Sequence, residues 1–328
     1  MGKLDILTKE YIKRPSIFAD VFNQYIYKGR QVIIPERLVE LDTTEIAIPY
    51  GTGQASVPVQ KYRDVSKILT AMTDGKAAYC ILAVENEGKI NYAMPVKNGL
   101  YDFIHLAGQV TKATVAHKTS SVQSVKPTGD EYLSGFWKSD RLLPVITVVV
   151  YFGAEIWDGP MCLHDMYTDC DVELLRYVAD YRINLITPTG LSDNEIDGFQ
   201  TGMREIMRYI KYSNDRKKLD KILKTEQRFK NVERSAAEII NAATNSKIKI
   251  EQGKETIDMC LAIQEMKEES RNEGRLEGRN EGRIEGIQAF IQDKIEDNVS
   301  EDIIIAKLQK YFALDEETAR QYYKTYMY

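Results

Sequence analysis

The sequence predicts an α/β fold: a mixed sheet flanked by helices, with a helical C-terminal extension. Three observations predict it. A helical stretch at 16–27 is followed by strands, a second helix and a further strand, the order of an α/β sandwich. The run LLPVITVVVYF at 142–152 is continuous and β-branched, as a strand buried on both faces requires. From Ser192 onward the pattern becomes charged and helical.

The elements follow in order. In the first helix Ile17, Val21 and Tyr25, with Phe18 and Phe22, recur at helical spacing, and Ser16 after Pro15 can cap it. Residues 45–49 alternate as a short strand, and KAAYCILAV at 76–84 reads as another, bounded by Asp74-Gly75 and Gly88. Residues 95–110 read as a helix with Leu100, Phe103, Ile104 and Ala107 on one face. Ile206, Ile210, Leu219, Ile222 and Leu223 carry the helical pattern of 192–267. Residues 300–323 form two short helices around Leu314-Asp315, with Asp315 as N-cap of the second. A chain of 328 residues suits one core with appendages. The expected divisions are a core at 1–190, a helical extension at 191–268, a glycine-striped helix or linker at 269–290, and a small helical pair at 291–328.

A hydrophobic content of 43% is that of a globular protein. The net charge of −5 is uneven: residues 1–130 carry 16 Lys+Arg against 13 Asp+Glu, an excess within ordinary fluctuation but of the sign a phosphate-binding surface needs. Four cysteines form no C-x-x-C pair and three histidines stand singly, which disfavours a short-spaced zinc site and fits a reducing cytoplasm. MGKLDILTKEYIKR has no signal-peptide stretch, and the run at 142–152 is shorter than the ~20 residues of a membrane helix. A cytoplasmic protein without membrane contact is expected.

The most informative local feature is Asp64 and Glu85 on either side of Asp74-Gly75. Asp-Gly between apolar runs is a strong hairpin signal. A two-residue turn would pair Thr73 with Lys76 and set Asp64 opposite Glu85, with Glu87 on the same face. Opposed carboxylates repel, so such a pair calls for a hard divalent cation: Mg²⁺, with Mn²⁺ as substitute. The metal would activate water against a phosphodiester. Val65, Ile68, Leu69 and Met72 also lie at helical spacing, which would make Asp64 an N-cap and Asp74-Gly75 a helix stop.

Three phrases favour the hairpin. YRDV at 62–65, LAVENEGKINYAMPVKNGLYD at 82–102 and LLPVITVVVYFGAEIWDGPMCLHDM at 142–166 resemble, in order and spacing, the Rpn family of recombination-promoting nucleases. The resemblance runs over residues 16–163 and implies a PD-(D/E)XK nuclease core. It matches Asp64 to the metal-binding Asp and Glu85 to the Glu of the E-x-Q or E-x-K motif. It makes Asp20, in FADVFNQ, the first-helix acid that completes the metal shell; otherwise Asp20 is a solvated helix residue. Glu87 departs from the family, which carries Gln or Lys there. Lys89 and Lys97 could supply the missing charge or be simply exposed. Tyr79, Tyr92, Tyr101 and Trp157 could stack on bases, or pack in the core.

Between 272 and 286 the chain reads NEGRLEGRNEGRIEG, with Gly274, Gly278, Gly282 and Gly286 every four residues. On a helix the glycines form one stripe with Glu on one flank and Arg on the other. Two parallel copies would set Glu flank against Arg flank. The alternative is a mobile linker, since each helical Gly costs ~1 kcal/mol relative to Ala. Together these readings imply a Mg²⁺-dependent DNA endonuclease of low sequence specificity, linked to recombination or transposition and dimeric through 272–286. The alternative is a DNA-binding or oligomerising relative that has lost cleavage.

Overall fold

A computed structural model describes residues 3–41, 69–84, 90–119, 126–168, 171–250 and 253–327. These divide into two compact units, Met1–Leu261 and Ala262–Tyr328.

The first unit is built on a five-stranded mixed sheet in spatial order β1-β2-β3-β4-β5. The strands are β1 (Val39–Glu40), β2 (Leu69–Thr73), β3 (Ala78–Val84), β4 (Val145–Tyr151) and β5 (Asn184–Ile186). The first three pair antiparallel; β3, β4 and β5 run parallel. Side chains of β3 and β4 alternate between two covered faces. Tyr79 meets Phe22 of helix α2 (Pro15–Tyr27), ring centroids 5.1 Å apart. Cys80, Val149 and Tyr151 pack with Met94 and Tyr101 of helix α3 (Met94–Thr119). Val148, Val149 and Val150 are fully buried, as the unbroken β-branched run requires.

The hairpin at Asp74-Gly75 is present, but its register differs from expectation. Thr73 pairs with Ala78, not Lys76, so every later pair moves by two residues. A two-residue turn needs positive φ at both central positions. Only Gly75 has it, at 82°. Asp74 instead accepts the Lys76 N–H at 2.9 Å, and the Thr73 hydroxyl donates to the Ala77 carbonyl at 2.8 Å. These side-chain bonds stabilise a four-residue loop.

Helix α3 presents an unexpected face to the sheet. Leu100 and Phe103 are exposed, while Asn98, Tyr101 and Asp102 are buried. A polar network described below makes that burial affordable.

The boundary expected at 190/191 does not separate compact units. After short helices α4 (Gly129–Ser134), α5 (Val172–Leu175) and α6 (Asp193–Asp197), the chain forms α7 (Met203–Tyr212), α8 (Arg216–Thr225) and α9 (Arg234–Thr244). These return to the N-terminal helices of the same unit. Helix α1 (Lys3–Ile12) packs on α9. Arg14 holds the Glu233 carboxylate with both guanidinium arms, the Nη2–Oε2 bond being 3.0 Å. Glu233 belongs to β6 (Val232–Glu233), which pairs with β7 (Thr256–Ile257). A Cβ on Gly202 would stand 2.6 Å from the Tyr11 hydroxyl, so glycine permits this close docking.

The second unit contains most of helix α10 (Met259–Glu296), then α11 (Glu301–Phe312) and α12 (Glu316–Tyr326). Ile287, Ile291, Ile304, Ile305, Leu308 and Ala319 form its core. Asp315 caps α12, accepting the Thr318 N–H at 2.8 Å. Residues 272–286 are helical throughout. A Cβ on Gly274, Gly278 or Gly282 would meet nothing among the described residues.

Candidate active site

One end of the sheet gathers the chain exits relevant to the sequence motifs. β2 begins at Leu69 and β3 ends at Val84 beside it, because the pair is antiparallel. Val84 also pairs with Tyr151, the last residue of parallel β4. Ligands of α/β sheets gather outside the carboxyl ends of parallel strands. Asp64, Glu85 and Glu87 themselves lie outside the described residues, as do Lys89 and the strand expected at 45–49.

The turn after β4 is tightly determined. A Cβ on Gly153 would stand 2.1 Å from the Tyr151 hydroxyl, so only glycine lets the chain fold back over that ring. This is the physical content of the Tyr-x-Gly pattern. Trp157 then packs edge-on to Tyr151 at 5.6 Å, and its indole N–H donates to the Gly159 carbonyl at 3.0 Å. Tyr92, just before α3, donates to Asp158 of the same loop at 2.9 Å.

Beside the turn lies a polar cleft of about 240 Å³, lined by Gly153, Ala154 and Glu155, by Tyr209, Ser213 and Asn214 at the end of α7, and by Thr244 and Ser246 at the end of α9. Tyr209 and Ser246 share a hydrogen bond of 3.2 Å. Sequence reading missed this cleft because its walls come from three separated segments.

Asp20 is 2% exposed, not solvated. Its carboxylate accepts the N–H groups of Gln200 (3.0 Å) and Thr201 (2.9 Å) and the Thr201 hydroxyl (2.6 Å). It anchors the turn leading into α7, as a helix-cap carboxylate does. These bonds make Asp20 a structural anchor, and they leave acceptor capacity on Oδ1, which takes only the shared Gln200 N–H.

Tyr79 and Tyr101 are core residues, 4% and 1% exposed. Burial pushes each phenol up to about 12. Lys97 is half-buried on α3.

A buried carboxylate that the sequence did not single out lies between α3 and the sheet. Asp102 accepts hydrogen bonds from the Thr147 hydroxyl and the Tyr181 hydroxyl. Tyr181 in turn accepts from the Asn98 amide at 3.1 Å. Burial raises the Asp102 carboxyl to about 6, against the lowering effect of Thr147. Its Thr147 partner sits four positions before Tyr151, in mid-strand, so Asp102 locks α3 to the sheet away from the strand ends.

Residues 130–238 match the family model "Putative transposase, YhgA-like". This stretch begins at α4 and takes in β4, β5 and helices α5 to α8, so the helices after 190 belong with the strands before it. No curated protein and no solved structure matches the chain. Among the described residues no three His, Cys, Asp or Glu side chains form a metal cluster, and no helix is long and apolar enough to cross a membrane.

Proposed function

We propose that the chain is a divalent-metal-dependent DNA endonuclease of low sequence specificity, acting in recombination or transposition in the cytoplasm. The observation that carries this reading is the sheet itself. An antiparallel hairpin and a parallel strand from the transposase-family stretch end side by side, at the edge where the chain continues to Asp64 and Glu85.

The observed register refines the sequence argument. A shift of two residues leaves every side chain on its original face. If the pairing seen from Leu69 to Thr73 were continued, Asp64 would match Glu87 and Glu85 would fall on the diagonal, within ~7–8 Å. Three carboxylates of this kind suit an oxygen-seeking ion such as Mg²⁺ or Mn²⁺. Bound there, the metal would lower the pKa of water and stabilise charge on the leaving oxygen. Glu87 adds an anion where the family carries Gln or Lys, which supports the second reading: a relative that binds DNA and no longer cuts it. Buried free thiols at Cys80 and Cys162 agree with a reducing compartment.

The proposal includes a homodimer through 272–286. Gly274, Gly278 and Gly282 cost the helix ~1 kcal/mol each with nothing packed on them among the described residues. A second parallel copy would use the close approach they allow.

Incubating the protein with supercoiled plasmid in Mg²⁺ tests the reading. Nicking by wild type and none by Glu85→Ala is expected. Equal nicking by both would remove the proposed site, and nicking only by Glu87→Gln would establish the second reading.

A further inference from the structure

Helix α8 carries a dense positive charge in an otherwise acidic chain. Its residues, 216–225, hold five Lys or Arg against one acid, in a protein of net charge −5. Leu219 and Leu223 are buried and Ile222 is half-buried, which fixes the inner face. At 3.6 residues per turn, Lys217, Lys221 and Lys224 fall on the opposite side. All three are exposed, as are Arg216 and Lys218. The row spans about 10 Å, near three nucleotide steps of one DNA strand at ~3.4 Å each. Lys217 and Lys221 repel as like charges at i,i+4, so the row does not serve the helix's own stability.

Its position is informative. Ser213 and Asn214, just before α8, line the polar cleft together with Gly153–Glu155 from the end of β4. The helix therefore starts beside the turn that follows β4, and it lies inside the stretch matched by the transposase family.

We propose that the outer face of α8 is a docking surface for the phosphate backbone of duplex DNA, resting on the nuclease reading above. Three lysines at this spacing neutralise phosphates without reading bases, which suits low sequence specificity. An anionic membrane fits less well, because a membrane-surface helix needs a free apolar face and Leu219 and Leu223 are spent inside the protein.

The test uses the full-length protein in EDTA, so that binding is separated from cutting. Anisotropy of a labelled duplex gives affinity at several salt concentrations for wild type and for Lys217→Gln/Lys221→Gln/Lys224→Gln. At 0.1 M salt each phosphate contact is worth about eightfold in affinity and 0.9 in the salt slope. The triple variant is expected to lose between ~10- and ~500-fold and to flatten the slope by up to ~2.7. The triple Lys→Arg variant should retain wild-type affinity, and the Gln variant should keep the wild-type circular dichroism and urea midpoint, which together assign the loss to charge and not to misfolding. Duplex binding by the Gln variant within twofold of wild type would overturn the docking surface and leave the nuclease reading intact. Tighter binding of wild type to RNA or to phosphatidylserine vesicles than to duplex would overturn it in favour of that partner. Duplex binding that depends on the lysines, without cleavage in Mg²⁺, would sink the nuclease reading alone.

Discussion

Replacing Asp102 by Asn removes the carboxyl from the network between α3 and β4 and keeps nearly the same shape. The wild-type carboxyl titrates near 6 in the folded protein, up from an ordinary 3.8, because burial disfavours its charge. The folded state therefore holds the proton more tightly than the unfolded chain. The stabilisation is complete below pH 3.8 and is lost as pH rises through about 6. The rise from 3.8 to about 6 amounts to ~3 kcal/mol in all, of which about 1.4 falls between pH 5 and 8. Asn does not titrate, so Asp102→Asn should gain about that much relative to wild type over this range. Urea titration followed by tryptophan fluorescence measures it, since Trp137 and Trp157 both lie in the first unit. A stability difference that stays constant with pH, or that moves in favour of Asp at high pH, would refute a buried, destabilised charge at Asp102.

Other predictions follow from the same geometry. Arg208 is 7% exposed and bridges Asp197 at 2.6 Å and Glu226 at 2.7 Å; Arg208→Leu leaves Glu226 without this partner and Asp197 with Arg204 alone, and should cost ~1–3 kcal/mol by denaturant unfolding. Asp20→Ala strands three donors and should destabilise the first unit by ~3 kcal/mol or more; a loss of metal affinity with unchanged stability would instead make Asp20 a ligand. Converting Gly274, Gly278 and Gly282 to Ala should dissociate a glycine-packed dimer, measured as mass in sedimentation. A helix that is merely solvated would gain ~3 kcal/mol instead, with no change of mass.

Much of the architecture was legible because it depends on neighbours in sequence. The helix at 15–27, the run ending at Tyr151 and the Asp315 cap all declare themselves in local spacing. Register did not, because Asp-Gly serves a two-residue turn and a four-residue loop equally well, and the choice rests on side-chain bonds from Thr73 and Asp74. The inner face of α3 was misread for a related reason. Leu100 and Phe103 have the composition of a core face, whereas Asn98 and Asp102 become buriable only through Thr147 and Tyr181, 45 and 79 residues from Asp102. The basic row of α8 vanished into a segment average, since residues 209–328 carry 22 basic against 23 acidic side chains. The carboxylates Asp64, Glu85 and Glu87 were read from sequence, and their support remains the strand ends that lead to them.

A crystal soaked in Mn²⁺ tests that support most directly. Anomalous density is expected between Asp64 and Glu85, at the edge formed by the start of β2 and the end of β3, and its loss in Glu85→Ala. Density that forms elsewhere, or that persists in Glu85→Ala, would contradict a metal site built on this hairpin.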